Sequence, residues 1–483
     1  MKKNKLFNFE YSYLSLPDKF HSMVKPDLFN EPEIFLLNKE LCHQLNLSMG
    51  SKEELLTAFL GEGNQKNSKS FAQAYAGHQF GHFNKLGDGR AIIVGEHLTE
   101  NKKRFDIQLK GSGRTPYSRG GDGKATLKAM LREYLISEAI HYLNIPSSRS
   151  LAIIKTGESV YRETIQEGAI LARVMKSHIR VGTFEYASYF GSVDDLKGLT
   201  SYTINRLNPE IEKDENTVLD FLNKVMINQI ELVVNWMRVG FIHGVMNTDN
   251  TSISGETFDY GPCAFINTYH PDTVYSSIDH NGRYAFGNQP KIIKWNISRF
   301  AEAILSIIHH DEMKSLELAQ ASIDQFDEIW KIKYYGMMLN KIGIDNNDKS
   351  LYTLVDELLD CMKKLNMDYT NTFWSLSNGN IPEDALINCS DFKTWLKKWQ
   401  DYIDMSSSMK QAKHMMKKHN PAIIPRNHLV EQALEEMVNG NPNSFQRLLS
   451  IISMPYQYQD GLDEFMNPPK LKFERNYQTY CGT

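Results

Sequence analysis

Cysteine is scarce in this 483-residue chain. The five residues, Cys42, Cys263, Cys361, Cys389 and Cys481, are odd in number, widely spaced and without a CxxC pair. That excludes a disulfide scaffold and a cysteine-built zinc site, and leaves reduced thiols in or near the core as the expectation. Long apolar runs are also missing: no window approaches the ~18 consecutive apolar residues of a membrane helix. The basic start MKKNKLFNFEYS lacks a following apolar h-region, so it is not a secretory signal, and Glu10 and Asp18 speak against an acid-poor transit peptide. A soluble, cytoplasmic protein with no membrane partner is expected. Net charge is nearly absent, 54 Lys+Arg against 58 Asp+Glu leaving −4, so the chain lacks the global basic footprint of a nucleic-acid binder. No nucleic-acid partner is expected, and the chain is read as a monomer. What remains is 41% apolar residues, ample for a core. At ~150 residues per domain the length fits about three domains, or one large enzyme with extensions.

Residues 1–70 are mixed and end in a polar stretch, Gly61–Ser70, read as a surface loop. From Phe71 to about Gly182, short apolar runs alternate with glycine turns. Leu86–Glu96, Phe105–Leu109, Ser150–Ile154 and Ala169–Val174 read as strands, and Lys124–Leu143 as a helix. After residue 215 a helical period runs from Val218 to Met237, with Gly240 as its stop; beyond 300 helices dominate, including Ala301–His309 and Asp311–Leu339. A strand-rich first half and a helical second half suggest two lobes with a cleft between them. Residues 311–420 carry no motif with chemical content.

Several motif matches fail. SRGGDGKAT (118–126) has Ser118 and Ala125 at two of the four Walker positions, and His78 and His82 have zincin spacing but Gln79 in place of the glutamate. The turn Gly87-Asp88-Gly89-Arg90 before AIIV suits either a phosphate loop, with glycine amides and a guanidinium as donors, or a plain hairpin. Along Arg104–Lys110, Phe105, Ile107 and Leu109 share one face while Asp106, Gln108 and Lys110 share the other. Lys110 enters Gly111-Ser112-Gly113, where a nucleotide enzyme would hold a phosphate-binding lysine. The next helix offers Glu133 and Glu138 to fix it, and spacing does not choose between them. Arg173, Lys176 and Arg180 form one cationic face if their segment is helical. The strongest cluster is His243-Gly-Val-Met-Asn-Thr-Asp249-Asn250, followed by Asp259-Tyr260-Gly261. An Asn and an Asp from adjacent loops are hard oxygen ligands suited to Mg²⁺ on a polyphosphate. In the protein-kinase pattern H-R-D-L-x-x-x-N…D-F-G, His243, Asn250 and Asp259 hold their places, but Val245 replaces the catalytic Asp.

The stretches FAQAYAGHQFGHFNKLGDGRA, QLKGSGRTPYSRGGDGKA, GFIHGVMNTDNTSISGETFDYGPCAF and NPAIIPRNHLVEQAL resemble the selenoprotein-O-like protein adenylyltransferases, formerly regarded as pseudokinases. The resemblance spans about residues 71–300 and 420–435. It implies an α+β, protein-kinase-like bilobal fold with a strand-rich N-lobe, a helical C-lobe and additional helical extensions. The corresponding divisions are 1–70 (N-terminal extension), 71–185 (nucleotide-binding lobe), 186–300 (helical lobe with catalytic and metal loops) and 301–483 (helical extension with a redox-candidate tail). It further implies ATP bound in a flipped orientation, with AMP passed to Ser, Thr or Tyr hydroxyls of protein substrates. By that resemblance Asp249 is the proton acceptor, Asn250 and Asp259 bind Mg²⁺ (Mn²⁺ as the alternative), and Lys110 pairs with Glu133. Gly87, Gly89, Arg90, Lys110, Asp122, Gly123, Arg173, Arg180 and Asp259 fall at nucleotide-contacting positions. A Cys263–Cys481 disulfide would tether the tail over the site when oxidised. The rival readings are a phosphotransferase that uses Asp249 as a displaced base, and an ATP-binding scaffold without catalysis.

Overall fold

Alternation along Arg104–Lys110 and apolar runs such as AIIV and LAII, each bounded by turn residues, fold as strands. The computed structural model describes residues 6–48, 50–61, 69–380, 389–457 and 461–480. Its strands are β1 (Phe9–Glu10), β2 (His21–Met23), β3 (Glu33–Leu37), β4 (Phe71–Gln73), β5 (Ala76–Gln79), β6 (His82–Lys85), β7 (Ala91–Leu98), β8 (Arg104–Lys110), β9 (Arg149–Tyr161), β10 (Ile165–Met175), β11 (Phe241–Ile242) and β12 (Ala264–Phe265). Eight of them form one antiparallel sheet in the order β2-β4-β7-β8-β10-β9-β3, with β1 beside β7. Residues 9–37 thus supply three strands to the same sheet as residues 71–175.

All four expected strands have different ends: β8 extends one residue further at each side, and the other three differ more, for local reasons. β7 starts at Ala91 rather than Leu86 because the Gly87–Gly89 turn precedes it. The expected Ser150–Ile154 and Ala169–Val174 are the inner parts of a longer hairpin, β9–β10. Its outer end carries Tyr161 and Ile165, 70% and 67% exposed, so burial leaves no apolar pattern there.

The sheet packs on both faces. Ile107 and Leu109 of β8 join a core with Phe7, Phe29, Leu41, Leu55 and Phe59 from the N-terminal segment. Each such fully buried side chain stabilises by roughly 1.5–3 kcal/mol. Asp106, Gln108 and Lys110, on the opposite face, are buried as well rather than solvated. They meet the helix Leu127–Tyr142 and the helical half of the chain.

That helix begins where the Thr126 hydroxyl caps the Ala129 amide. It is buried over most of its circumference, Glu133 and Glu138 included. The long helix Thr217–Val239 stops at Gly240, whose φ of 76° forms a left-handed cap. It delivers the chain into β11, which pairs with β12; the loops between these two strands carry the Thr248–Asn250 turn and Asp259. Beyond Met175 the only strands among the described residues are β11 and β12, which makes the chain α+β, strand-rich first and helical afterwards. Expected Ala301–His309 falls across two helices, Gln289–Ala303 and Leu305–Ile308. Expected Asp311–Leu339 is divided into Glu312–Asp324 and Phe326–Lys341 at Gln325, whose amide bonds only three residues back, to Ser322. Among the described residues no helix is long and apolar enough to cross a membrane.

Candidate active site

Lys110 ends β8 with its ammonium on Glu133 Oε2 at 2.6 Å and in contact with Asp259 Oδ1. Of the two carboxylates that spacing left open, Glu133 is therefore the partner. Glu138 pairs with Arg149 at 2.6 Å and accepts from Asn38 at 2.9 Å. Arg173, from the neighbouring β10, spans the same two acids, with Nη1 3.0 Å from both Glu133 Oε1 and Asp259 Oδ1. Gln108 Oε1 accepts from Arg173 Nη2 at 2.5 Å and orients the guanidinium. Burial favours the neutral acid at Asp259, but Lys110 and Arg173 overcome it and hold the carboxyl well below its usual range.

Arg173, Lys176 and Arg180 do not share a helical face. Arg173 lies in β10, Lys176 is exposed, and Arg180 is the residue before the helix Val181–Phe190. Both arginines are nonetheless buried and turn toward one site. Arg180 stacks on the Tyr75 ring at 4.0 Å, its Nη1 donates to the Asp249 carbonyl at 3.2 Å, and its Nη2 lies 3.4 Å from Asp88 Oδ1. The Phe258 ring faces both guanidinium groups, 5.4 Å from Arg173 and 5.1 Å from Arg180.

Asp249 sits in the one-turn 3-10 helix Thr248–Asn250. Its Oδ2 accepts from Gln79 at 3.2 Å, while its Oδ1 is buried with no hydrogen-bond partner. Burial, only partly offset by Arg180, raises its carboxyl to about 6. The hairpin β5–β6 presses on it: a Cβ at Gly77 would stand 2.6 Å from Oδ1, so only glycine permits this approach. The turn is braced by Thr248, whose hydroxyl donates to Glu185 at 2.6 Å and accepts from the His78 amide at 2.7 Å. His78 Nδ1 is 2.5 Å from the same Glu185, so His78 is a brace, and His82 is exposed on the partner strand. Asn250 commits its Nδ2 to Val245 O at 2.9 Å, which leaves the amide oxygen as its available ligand atom.

The Gly87–Arg90 turn is held from behind. Asp88 Oδ2 accepts the Gln73 amide at 3.1 Å, its carbonyl accepts from Thr115 at 2.6 Å, and the Gly89 carbonyl accepts from Ser118. A Cβ at Gly87, where φ is 145°, would lie 2.3 Å from Tyr117 Cγ, so packing alone already requires this glycine. Asp122 forms an ion pair with Arg162 at 2.8 Å and Gly123 packs on the Gly113 carbonyl. These contacts shape the Gly111–Ala125 loop.

Three side chains carry more of the site than the sequence reading assigned. Asp88 anchors Arg180, Gln108 orients Arg173, and Arg132 ties the helix of Glu133 to the Asp259 loop. Arg132 donates to Cys263 O at 2.8 Å, Gly261 O at 3.3 Å, Glu431 at 2.8 Å and the Tyr477 hydroxyl at 3.2 Å. A signal existed for two: Gln108 shares the polar face of β8 with Lys110, and Asp88 lies between two turn glycines. Cys263 is buried, donates to Tyr260 O at 3.4 Å, and burial pushes its thiol up to about 12. Cys481 lies outside the described residues. A cavity of about 1140 Å³ beside Arg132, roofed by Lys470–Tyr480, includes none of the Lys110–Asp249 cluster.

Three buried cations, Lys110, Arg173 and Arg180, thus face four carboxylates, Asp88, Glu133, Asp249 and Asp259. Among the described residues no group of three or more His, Cys, Asp or Glu side chains could hold a metal by themselves. The donor set fits a hard divalent cation that takes one carboxylate, one amide oxygen and completes its shell from phosphate and water. The orphaned Asp249 Oδ1 marks the place where a further polar group belongs.

Known proteins have similar sequences over nearly the whole chain. A model of the family described as protein adenylyltransferase SelO matches residues 4–453. A protein nucleotidyltransferase YdiU of Pelagibacter ubique is 49% identical over 480 residues, 99% of each chain. One of Bacillus cereus (strain AH820) is 48% identical over 485 residues, covering 99% of this chain and 98% of its own.

Proposed function

Since the chain belongs to the protein adenylyltransferase SelO family, and is by that membership a nucleotidyltransferase enzyme, we propose that it transfers AMP from ATP to Ser, Thr or Tyr hydroxyls of proteins and releases pyrophosphate. The observation that carries this reading is the pairing of an unpartnered, buried Asp249 oxygen with a cation cluster built on Lys110, Arg173 and Arg180. The division of labour follows. Lys110, fixed by Glu133, and Arg173 and Arg180 bind phosphate oxygens and stabilise charge as it moves onto pyrophosphate. Asp249 accepts the hydroxyl proton while the hydroxyl oxygen bonds to the α-phosphorus and the bond to the pyrophosphate oxygen breaks. A carboxyl near 6 is matched to that task at neutral pH, and such a base contributes roughly 10²–10⁴-fold.

Carboxylates outnumber cations here, so a triphosphate enters favourably only with counter-charge. Mg²⁺, or Mn²⁺, held by Asn250 and Asp259 would supply it and screen the phosphates. Gly87, Gly89, Arg90, Asp122 and Gly123 complete the proposed nucleotide-contacting set. We read residues 71–185, together with the three strands that 9–37 add to their sheet, as the nucleotide lobe and 186–300 as the helical lobe of a kinase-like bilobal arrangement, flanked by the rest of 1–70 and by 301–483. The redox reading is supported by the tail: the Thr479 hydroxyl donates to Pro262 O at 2.7 Å, next to Cys263. Oxidation of Cys263 and Cys481 by a cellular disulfide or peroxide, which takes up two electrons and two protons, would lock the tail there.

Two parallel reactions, with α-labelled and γ-labelled ATP, Mg²⁺ and an acceptor protein, test the proposal. Label from α-ATP alone, lost in Asp259→Ala, is expected. Label from γ-ATP makes the enzyme a kinase, and no label from either leaves an ATP-binding scaffold.

A further inference from the structure

The hairpin β5–β6 touches the site with one strand and faces outward with the other. Its register sets Gln79, which donates to Asp249, opposite His82, and His78, which bonds to Thr248, opposite Phe83. The turn residues Phe80 and Gly81 both have positive φ, 51° and 86°. For an aromatic residue that is a strained conformation, of the kind that clusters at functional sites. Asn247 holds it there, its Oδ1 accepting from the Phe80 amide at 3.1 Å and the Tyr284 hydroxyl at 2.5 Å.

Outward from this turn runs an aromatic belt. Phe83 lies 4.3 Å from Tyr189 between ring centroids, and His78 joins Phe83 at 5.2 Å to Trp295 at 5.3 Å. Tyr189 is 65% exposed and Phe190 43% exposed, so the belt presents large apolar rings to solvent beside Phe83 of the hairpin. Three cations sit on the belt; one, Arg299, lies 5.2 Å from the Trp295 ring and is paired with Glu302 at 2.5 Å, and the other two are Arg283 and Lys85. The Arg283 guanidinium stacks on Trp295 at 4.9 Å with its Nε buried and unpartnered, and Lys85 Nζ lies 4.9 Å over the Phe190 ring. Among the described residues neither forms an ion pair with a carboxylate. The belt therefore combines exposed aromatic area with uncompensated positive charge, and it begins at the residues that touch Asp249.

We propose that this face, formed by Phe83, Tyr189, Phe190, Trp295, Arg283 and Lys85, docks the acceptor protein, and that it takes an extended segment bearing an apolar anchor and carboxylates beside the modified hydroxyl. The inference rests on the reading of Asp249 as proton acceptor. The aromatic rings bury the anchor, Arg283 and Lys85 pair with the carboxylates, and the hydroxyl is handed to Asp249 past Gln79.

The test uses the full chain, α-labelled ATP and two synthetic peptides with one Ser and one Phe, identical except for Glu or Lys on either side of the Ser. A kcat/KM at least 10-fold higher for the Glu peptide is expected. Arg283→Glu should abolish or invert that preference. The exposed pair Tyr189→Ser and Phe190→Ser should raise the peptide KM at least 5-fold with the ATP KM unchanged. Equal use of both peptides, unchanged peptide KM in these variants, or label on the enzyme itself but on neither peptide overturns the docking surface while leaving AMP transfer intact. No label on peptides or enzyme overturns the AMP-transfer reading itself.

Discussion

Two buried charge clusters lie on one helix, five residues apart, and are built to opposite ends. Around Glu138 every acceptor is used: Arg149 donates to both carboxylate oxygens at 2.8 and 2.6 Å, and Asn38 and the Ser150 amide add bonds at 2.9 and 3.2 Å. Around Glu133 the groups compete. Lys110 and Arg173 share Asp259 Oδ1, the Asp259 side chain stays 29% exposed, and the nearby Asp249 Oδ1 has no partner. A closed network is a joint, and an open one is waiting for a ligand. Burial and charge count alone do not separate the two; saturation of the acceptors does.

The sharpest way to break that contrast is Asp259→Ala. It removes a proposed metal ligand and the shared anchor of two cations, and activity should fall about 10³-fold, roughly 4 kcal/mol of barrier, while the thermal midpoint stays near that of the parent. Asp249→Asn should cost less, about 10²-fold; equal residual rates in the two variants would refute this ranking. Glu138→Ala is the converse. It strands a buried guanidinium and should destabilise the fold by about 3 kcal/mol, with activity per folded molecule retained, as denaturant titration beside single-turnover rates would show.

Glu256 tests burial without catalysis. It is enclosed behind the same loop, accepts from the Lys176 amide at 3.0 Å and Ser254 at 2.7 Å, and burial raises its carboxyl from 4.5 to about 7. The folded state then binds a proton that the unfolded chain has lost, so this contribution is fully present below about pH 4.5 and is lost as pH rises through about 7. The whole effect is about 3 kcal/mol at most. In Glu256→Gln the decline of the unfolding midpoint between pH 5 and 8 should flatten. The smallest expected effect is Tyr477→Phe, which deletes one of four bonds to Arg132 at the tail. A loss of about 3-fold in kcat with unchanged ATP KM would mark Arg132 as a positioning residue for the Asp259 loop, worth under 1 kcal/mol through this one contact.

Much of this arrangement was legible in the chain. Periodicity located the helix of Glu133, the long helix ending at Gly240 and the core of each main strand, because apolar burial imposes period 3.6 or 2 directly on the residues. It missed the contribution of residues 9–37 to the sheet, since strands of two to five residues are too short to carry a period. It also divided β8 into an apolar and a polar face without indicating that Asp106, Gln108 and Lys110, on the polar one, are buried against charged partners. Alternation reports that two faces differ, and says nothing of what covers the polar one.

The sequence by itself determined the family, the α+β order of elements and the residue types able to handle phosphate and metal, all of which are local in the chain. Only the tertiary structure chose Glu133 over Glu138, turned Arg173 and Arg180 from a strand and a helix start onto one site, and left one oxygen of Asp249 without a partner. Those outcomes depend on which groups meet across 23 to 170 positions of chain. Desolvation and Coulomb energy act through space, so no spacing rule along the chain contains them.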